Sequence, residues 1–397
     1  MRKSIVLFFI ISAIIILNSC SKTEAGKQTT PSFPAVTHAF GSNIDLNGLA
    51  NYASQSKPAY ITRDNTTNNP ITDKKATLGR VLFYDKNLSI DNSISCGSCH
   101  KQSFAFSDTA LVSSGVSGGL TGRHSMRLVN ARFSTERKFF WDERAATLEL
   151  QTTQPIQDHA EMGFSGQAGR PAINSLLSKL QVIDYYKELF QFAYGDVAIT
   201  EQRLQECLSQ FIRSIQSFDS KYDAGRAQAA TENQPFPNFT AQENAGKNLF
   251  VAPPVFDQTG NRIGGGLGCA GCHRAPEFDI DPNTGNNGII GQANGSTVLD
   301  LGNTRAPSLR DLVQTNGTLN GPMMHTGVIK TLQAAIGHYG TINLAPGNSN
   351  LDPRLRPNGF GQQLHLTGQE VNNVIAFLHT LSGTAVYADK KWADPFK

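Results

Sequence analysis

The chain is short of the residues that staple small exported folds together. It has six cysteines in 397 residues, and four of them sit in two C-x-x-C pairs, so few remain for a disulfide framework once those pairs have a use of their own. Tryptophan and methionine are scarce too, at two and five. No charge sign dominates: 35 Lys and Arg stand against 32 Asp and Glu, for a formal charge of +3. Without a basic block, there is no electrostatic footprint for nucleic acid. Long apolar runs are missing as well. The strongest, residues 5–17, is interrupted by Ser12 and too short to span a membrane comfortably. Sustained period-2 alternation is absent, which argues against sheets. With 36 Gly and 18 Pro, the chain reads as helices joined by long loops, and the fold class as mainly α.

What is present begins with a targeting segment. Arg2 and Lys3 precede the apolar run, which ends in Leu17-Asn18-Ser19-Cys20. This looks like a bacterial lipoprotein cleavage box, although Asn18 is a less usual occupant. It implies removal of residues 1–19, a lipid on the Cys20 thiol and export across a membrane. An ordinary secretory signal with a stray cysteine is the alternative. Residues 20–40 are polar, with Lys, Thr, Gly and Pro, and read as a flexible tether.

Two motifs carry the chemistry: Cys96-Gly97-Ser98-Cys99-His100 and Cys269-Ala270-Gly271-Cys272-His273. Two C-x-x-C-H motifs in an exported chain read as two covalently attached haems c. The two thiols add across the porphyrin vinyl groups, and the adjacent imidazole reaches the iron. Zinc sites and thiol redox pairs also use C-x-x-C, but neither explains a His directly after the second Cys both times. What fills the other face of each iron decides between chemistry and electron transfer. The sixth cysteine, Cys207, lies among Leu204, Leu208, Phe211, Ile212 and Ile215 at helical spacing, and reads as a buried, inert thiol.

An internal echo organises the rest. Gly79-Arg-Val-Leu-Phe83 precedes the first motif and Gly246-Lys-Asn-Leu-Phe250 the second. Each reads as a short helix leading into a loop and then C-x-x-C-H. Two haem domains are expected, residues 41–230 and 231–397, parted near the turn-rich 229–238, with the C-terminal tail packing back on the first. Further helices are predicted over 173–192 and 203–218. Capping boxes at Thr240–Glu243 and Thr367–Glu370 start two more. The last should bury Val371, Val374, Ile375, Leu378 and Leu381.

The order and spacing of several phrases resemble the bacterial di-haem cytochrome c peroxidases, which include the MauG-type enzymes. The phrases are Leu78-Gly-Arg-Val-Leu-Phe-Tyr-Asp85, both haem motifs, Phe140-Trp-Asp-Glu-Arg-Ala145, Pro155-Ile156 with Glu161-Met162-Gly163, Ala306-Pro-Ser-Leu-Arg310, and Pro322-Met-Met-His-Thr-Gly327 with Thr331-Leu332. The likeness covers residues 69–383. It implies two cytochrome c-like helical domains packed face to face.

The resemblance also implies roles. Gln151 and Glu161 follow Trp141 by ten and twenty residues, the family's offsets. Glu161 would be general base and acid toward peroxide at the first haem, Gln151 would orient the peroxide, and Trp141 would sit between the haems. Two departures matter. Many members carry a His after the first motif that caps the resting iron; residues 101–122 contain no His and no Met. The first haem is therefore expected to be five-coordinate or water-bound. At the second haem, typical members place a Met eight residues after the Thr of Thr-Leu. That position is Tyr339 here, as in MauG-type enzymes, with His338 as rival ligand and His325 in a supporting part. A tyrosinate favours ferric and higher states. Calcium between the domains is a further implication. Asn320 and Pro322 match carbonyl positions, whereas His124, a poor partner for a hard cation, stands where the usual Asn would be.

Three functions follow. The leading one is a periplasmic, lipid-anchored enzyme reducing hydrogen peroxide with electrons from a small cytochrome c or cupredoxin. The second is a MauG-type oxidase of a protein or small molecule. The third is a non-catalytic di-haem electron carrier. Homodimers are common in the family.

Overall fold

The computed structural model describes residues 32–135, 138–279, 284–293 and 297–397. The signal segment and Cys20 lie outside them. Twelve α-helices are found among the described residues: α1 Pro34–Phe40, α2 Asp73–Tyr84, α3 Cys96–Cys99, α4 Leu148–Thr152, α5 Gln154–Gln157, α6 Ile173–Gln181, α7 Asp184–Tyr194, α8 Glu201–Ser214, α9 Lys221–Arg226, α10 Ala241–Val251, α11 Leu332–Gly340 and α12 Gly368–His379. One two-stranded antiparallel hairpin, β1 Pro254–Phe256 with β2 Arg262–Gly265, interrupts them. The fold is mainly α, and long loops carry much of the remainder.

The repeated glycines explain how each half is built. A β-carbon on Gly79 would stand 2.0 Å from the Cys207 carbonyl oxygen, and one on Gly246 would stand 1.9 Å from that of Asn373. Each glycine therefore marks the point where the helix before a haem motif crosses a partner helix at backbone distance, α2 on α8 and α10 on α12. Local signals start these helices. Thr72 and Thr200 accept hydrogen bonds from Lys75 N and Arg203 N. Thr240 and Thr367 form the expected capping boxes with Glu243 and Glu370.

Two hydrophobic cores result. The first gathers Leu78, Leu82 and Phe83 of α2 with Leu204, Cys207 and Phe211 of α8. It also takes in Val386 and Trp392 from the C-terminal segment. The second gathers Phe250, Phe278, Val374, Phe377 and Leu381, and starts as early as Tyr222 in α9. Cys207 is fully buried, with its sulfur 3.3 Å from the Tyr194 hydroxyl.

Three expectations are corrected. The tether does not reach residue 40. Residues 34–40 form α1, with Val36 and Phe40 in the first core. The amides of Ala35 and Val36 donate to the Glu188 carboxylate at 3.1 and 2.9 Å, so a distant anion caps a helix that opens on proline. The helix expected over 173–192 is two helices, broken at Val182 and Ile183. In α12, Val374, Phe377 and Leu378 are buried, whereas Val371 and Ile375 are only partly covered.

Candidate active site

The two C-x-x-C-H motifs are placed alike. The His100 amide donates to Cys96 O at 2.9 Å and the His273 amide to Cys269 O at 2.9 Å. Each imidazole then uses Nδ1 on a backbone carbonyl, that of Phe106 at 3.1 Å for His100 and that of Phe278 at 3.2 Å for His273. That bond fixes the tautomer with the proton on Nδ1 and leaves the Nε2 lone pair for a metal. Burial disfavours the charged imidazolium in both rings and brings His273 down to about 4.

Each motif opens onto its own cavity. The first, about 480 Å³, is lined by Cys96, Cys99 and His100; the second, about 610 Å³, by Cys269, Cys272 and His273. Both volumes suit a cofactor. Burial pushes the thiols of Cys96 and Cys269 up to about 12 and that of Cys99 to about 11. Reactive thiolates and zinc ligands need the opposite shift. No group of three or more His, Cys, Asp or Glu among the described residues could hold a metal ion. The residues present fit covalent haem c, with two thiols and one metal-ready imidazole lining each cavity.

Glu161, Gln151 and Trp141 all line the first cavity with His100. Gln151 projects from α4, which Thr147 caps by accepting from Leu150 N. Glu161 sits in the loop after α5, pinned at both ends of its peptide unit. Its amide donates to Asp158 Oδ1 at 3.0 Å, and its carbonyl accepts from Val116 N at 2.9 Å. Burial, helped by the Asp158 charge and opposed by the Arg144 guanidinium, raises its carboxyl to about 7. The segment 101–122, where a capping His would reside, brings no imidazole to the cavity; it contributes Ser114, Thr121 and Gly122.

Trp141 is 8% exposed and lines both cavities. Its Nε1–H donates to His124 O at 2.7 Å, and its carbonyl accepts from Arg305 N at 2.8 Å. The His325 ring lies edge-on to it, 6.2 Å between centroids. His124, Ser125, Met126, Arg127 and Arg305 share the wall between the cavities with Trp141. Sequence reasoning gave these residues no part in a shared wall, naming only His124 of them, at a calcium position. It also missed Glu277 and Asp279, which follow the second motif yet line the first cavity. Burial holds their carboxyls up, to about 7 and about 6.

Tyr339 lines the second cavity from α11. Its rival His338 does not; its Nε2 lies 2.9 Å from Asn287 O. Pro322 lines the same cavity. Asn320 is buried nearby, with Nδ2 donating to Asp311 O at 2.8 Å and to Tyr387 Oη at 2.7 Å. Only its Oδ1 is left over, and His124 turns a nitrogen, Nε2, inward without a partner. These are few donors for a cation that takes six to eight oxygens.

Residues 73–231 match the family model of the di-haem cytochrome c peroxidases. Beyond them, the methylamine utilization protein MauG of Methylophilus methylotrophus is 29% identical over 327 residues, 80% of this chain and 85% of that protein. Over residues 73–231 the chain is similar to the di-haem cytochrome c peroxidase family. Cytochrome-c peroxidase IdrP1 of Denitromonas iodatirespirans is 26% identical over 354 residues, 80% of this chain and 83% of that one. Among solved structures, a MauG-like protein associated with microbial copper homeostasis superposes with a TM-score of 0.65 at 26% identity, covering 87% of this chain and 99% of its own. The family is one of oxidoreductases, and both peroxidases and MauG proteins stand among these relatives. A di-haem protein needs two attachment sites, and the chain carries two C-x-x-C-H motifs, each opening onto a cavity.

Proposed function

We propose that this protein is a periplasmic di-haem peroxidase, anchored by a lipid on Cys20. It would reduce hydrogen peroxide to water with electrons from a small periplasmic cytochrome c or cupredoxin. The observation that carries the reading is the Glu161 carboxyl, raised to about 7 inside the first cavity beside Gln151 and Trp141. A group titrating there can both take and return a proton near neutral pH.

When bound, the haem on Cys96, Cys99 and His100 supplies an iron to which peroxide can add, and the haem on Cys269, Cys272 and His273 supplies a relay for electrons. The chain's own residues do the rest. Glu161 takes the proton from one peroxide oxygen and gives it to the other, so that the departing oxygen leaves as water. Gln151 orients peroxide with its amide. Trp141 joins the cavities. Tyr339, which lines the second cavity, would offer its phenol oxygen to the second haem, with His338 as the less well-placed rival.

Peroxide consumption with reduced cytochrome c tests this, comparing wild type with Glu161→Gln; equal rates would remove the peroxidase reading. A second reading, MauG-type oxidation of a protein or small molecule, is favoured by Tyr339 and by the missing capping His. It expects slow turnover with the carrier and a long-lived oxidised state after peroxide. A plain electron carrier would leave no iron open to cyanide, so a cyanide-induced spectral shift counts against it. Labelling with a radioactive fatty acid, lost in Cys20→Ser, tests the anchor.

A further inference from the structure

We propose that Met324 is a second protein ligand for the iron of the second haem, exchanging with Tyr339 when that iron is reduced. The proposal rests on Tyr339 being the ligand of the oxidised iron.

Met324 lies in a tight turn. The Met323 amide donates to Ile329 O at 2.7 Å, and Met324 O accepts from Gly327 N at 3.0 Å. Its φ of 68° is left-handed, an unusual conformation for a residue that is not Gly, Asn or Asp. Met324 lines the second cavity together with Tyr339, and its sulfur is 3.9 Å from the Tyr339 hydroxyl. Among the methionines of this cavity it is the one placed there. Met126 Sδ instead accepts from Arg305 Nη1 at 3.2 Å.

One amide serves both donor atoms. Asn287 Nδ2 is 3.3 Å from Met324 Sδ and 3.4 Å from Tyr339 Oη. Asn287 is itself held, its Oδ1 accepting from Ile289 N at 3.1 Å and its backbone oxygen meeting His338 Nε2 at 2.9 Å. Whichever atom is off the iron can keep a hydrogen bond to this amide, so the released side chain stays in reach.

The two donors differ in the way that favours exchange. A phenolate is hard and anionic and suits ferric iron; a thioether is soft and neutral and suits ferrous iron. On reduction, the carrier adds one electron to the iron. The iron–oxygen bond to Tyr339 breaks, the phenolate takes one proton from solvent, and the iron–sulfur bond to Met324 forms. Oxidation runs the same steps backwards, releasing the electron and the proton.

X-ray absorption at the iron edge of the haem-loaded wild type tests this without any mutation. An iron–sulfur scattering path should appear on reduction and vanish on re-oxidation. Met324→Leu should keep the ferric spectrum and lose that path. The potential of the second haem should fall by at least ~59 mV, which is a tenfold loss for one electron. Tyr339→Phe should instead change the ferric spectrum toward His/Met character and leave the ferrous one alone. If the reduced wild type shows no sulfur path and Met324→Leu leaves the ferrous spectrum and potential in place, the exchange is refuted and the reading of Tyr339 is untouched. If Tyr339→Phe leaves the ferric spectrum untouched, the reading of Tyr339 fails on its own.

Discussion

Gly115 lies so close to Ala160 that a β-carbon on it would stand 1.9 Å from the Ala160 carbonyl oxygen; one on Gly119 would stand 2.4 Å from the same atom. Between these two glycines, Val116 N donates to the carbonyl of Glu161. The loop that lacks a capping His is therefore a brace beneath the candidate acid–base residue.

Gly115→Ala must push the 158–162 loop away from the brace. A displacement of about 1 Å at a reacting group can cost ~10²-fold in rate. The variant should attach both haems with unchanged spectra yet react with peroxide ~10²-fold more slowly. The pH midpoint of that reaction should also move, because Glu161 would be less enclosed. Stopped-flow mixing with peroxide across a pH series measures both. A normal rate with a normal midpoint would mean that the contact has no part in positioning Glu161.

Glu161 must be ionised to accept a proton. Its carboxyl is raised to about 7, so the rate of the peroxide reaction should climb through that value and level off above it. Glu161→Gln should be ~10²-fold slower or worse and flat with pH. Stability should carry the matching sign. The unfolded carboxyl titrates near ~4.3, so between there and about 7 the folded chain holds a proton that the unfolded chain has lost. Stability contributed by the neutral form is present at low pH and is lost as pH rises through this window. Urea unfolding should therefore find Glu161→Gln more favourable relative to wild type at pH 8 than at pH 4.

Legibility in the sequence followed the range of the interactions. The haem motifs, the capping threonines at Thr240 and Thr367, and the echo around Gly79 and Gly246 are local, and each signals itself within a few residues. The echo even marks the helix crossings, because a missing side chain is what a close crossing needs. Helix α1 was hidden because the anion at its start, Glu188, lies about 150 residues further on. Glu277 and Asp279 were hidden for the same reason. They follow the second motif in sequence, and only the packing of the halves turns them into the first cavity. The break at Val182 and Ile183 was invisible because the apolar spacing continues across it. Gln151 and Glu161 were legible only through family resemblance, since a lone Gln and Glu in loops and short helices carry no pattern of their own.

Arg310 is fully buried, and its guanidinium meets Asp223 Oδ1 and Oδ2 at 2.9 and 3.1 Å. The Tyr60 hydroxyl donates to the same carboxylate at 2.6 Å, so Asp223 ties an early loop to the second core. Asp223 also closes the capping box of α9 with Ser220. Removing Asp223 leaves the buried Arg310 guanidinium with only Glu277, whose Oε2 lies 3.5 Å from Arg310 Nε, as a counterion. Asp223→Ala should therefore lower stability by about 3–5 kcal/mol, read as a lower urea midpoint. Arg310→Met together with Asp223→Leu should recover part of that loss, since the guanidinium is then gone and the Glu277 carboxyl beside it, already raised to about 7, can stay protonated. If Asp223→Ala unfolds at the wild-type midpoint, this pair does not hold the halves together.

Trp141 is the one indole shared by both cavities, and its Nε1–H is fixed on the His124 carbonyl. Trp141→Phe keeps an aromatic ring there but removes the indole and its hydrogen bond, a structural loss of about 0.5–1.5 kcal/mol. That is too little to unfold a domain of ordinary stability, so a kinetic effect can be read cleanly. The first step, peroxide reacting at the haem beside Glu161, should keep its rate. The next step, an electron crossing from the second haem, should slow. Rapid-mixing spectra resolve the two, because the first haem changes on contact with peroxide and the second only when it gives up its electron. In the variant, the second change should lag behind the first, and steady turnover with reduced cytochrome c should fall in step with that lag. Simultaneous changes at the wild-type rate would mean that electrons cross the shared wall by another route, with the residues at 124–127 and Arg305 as the remaining bridge.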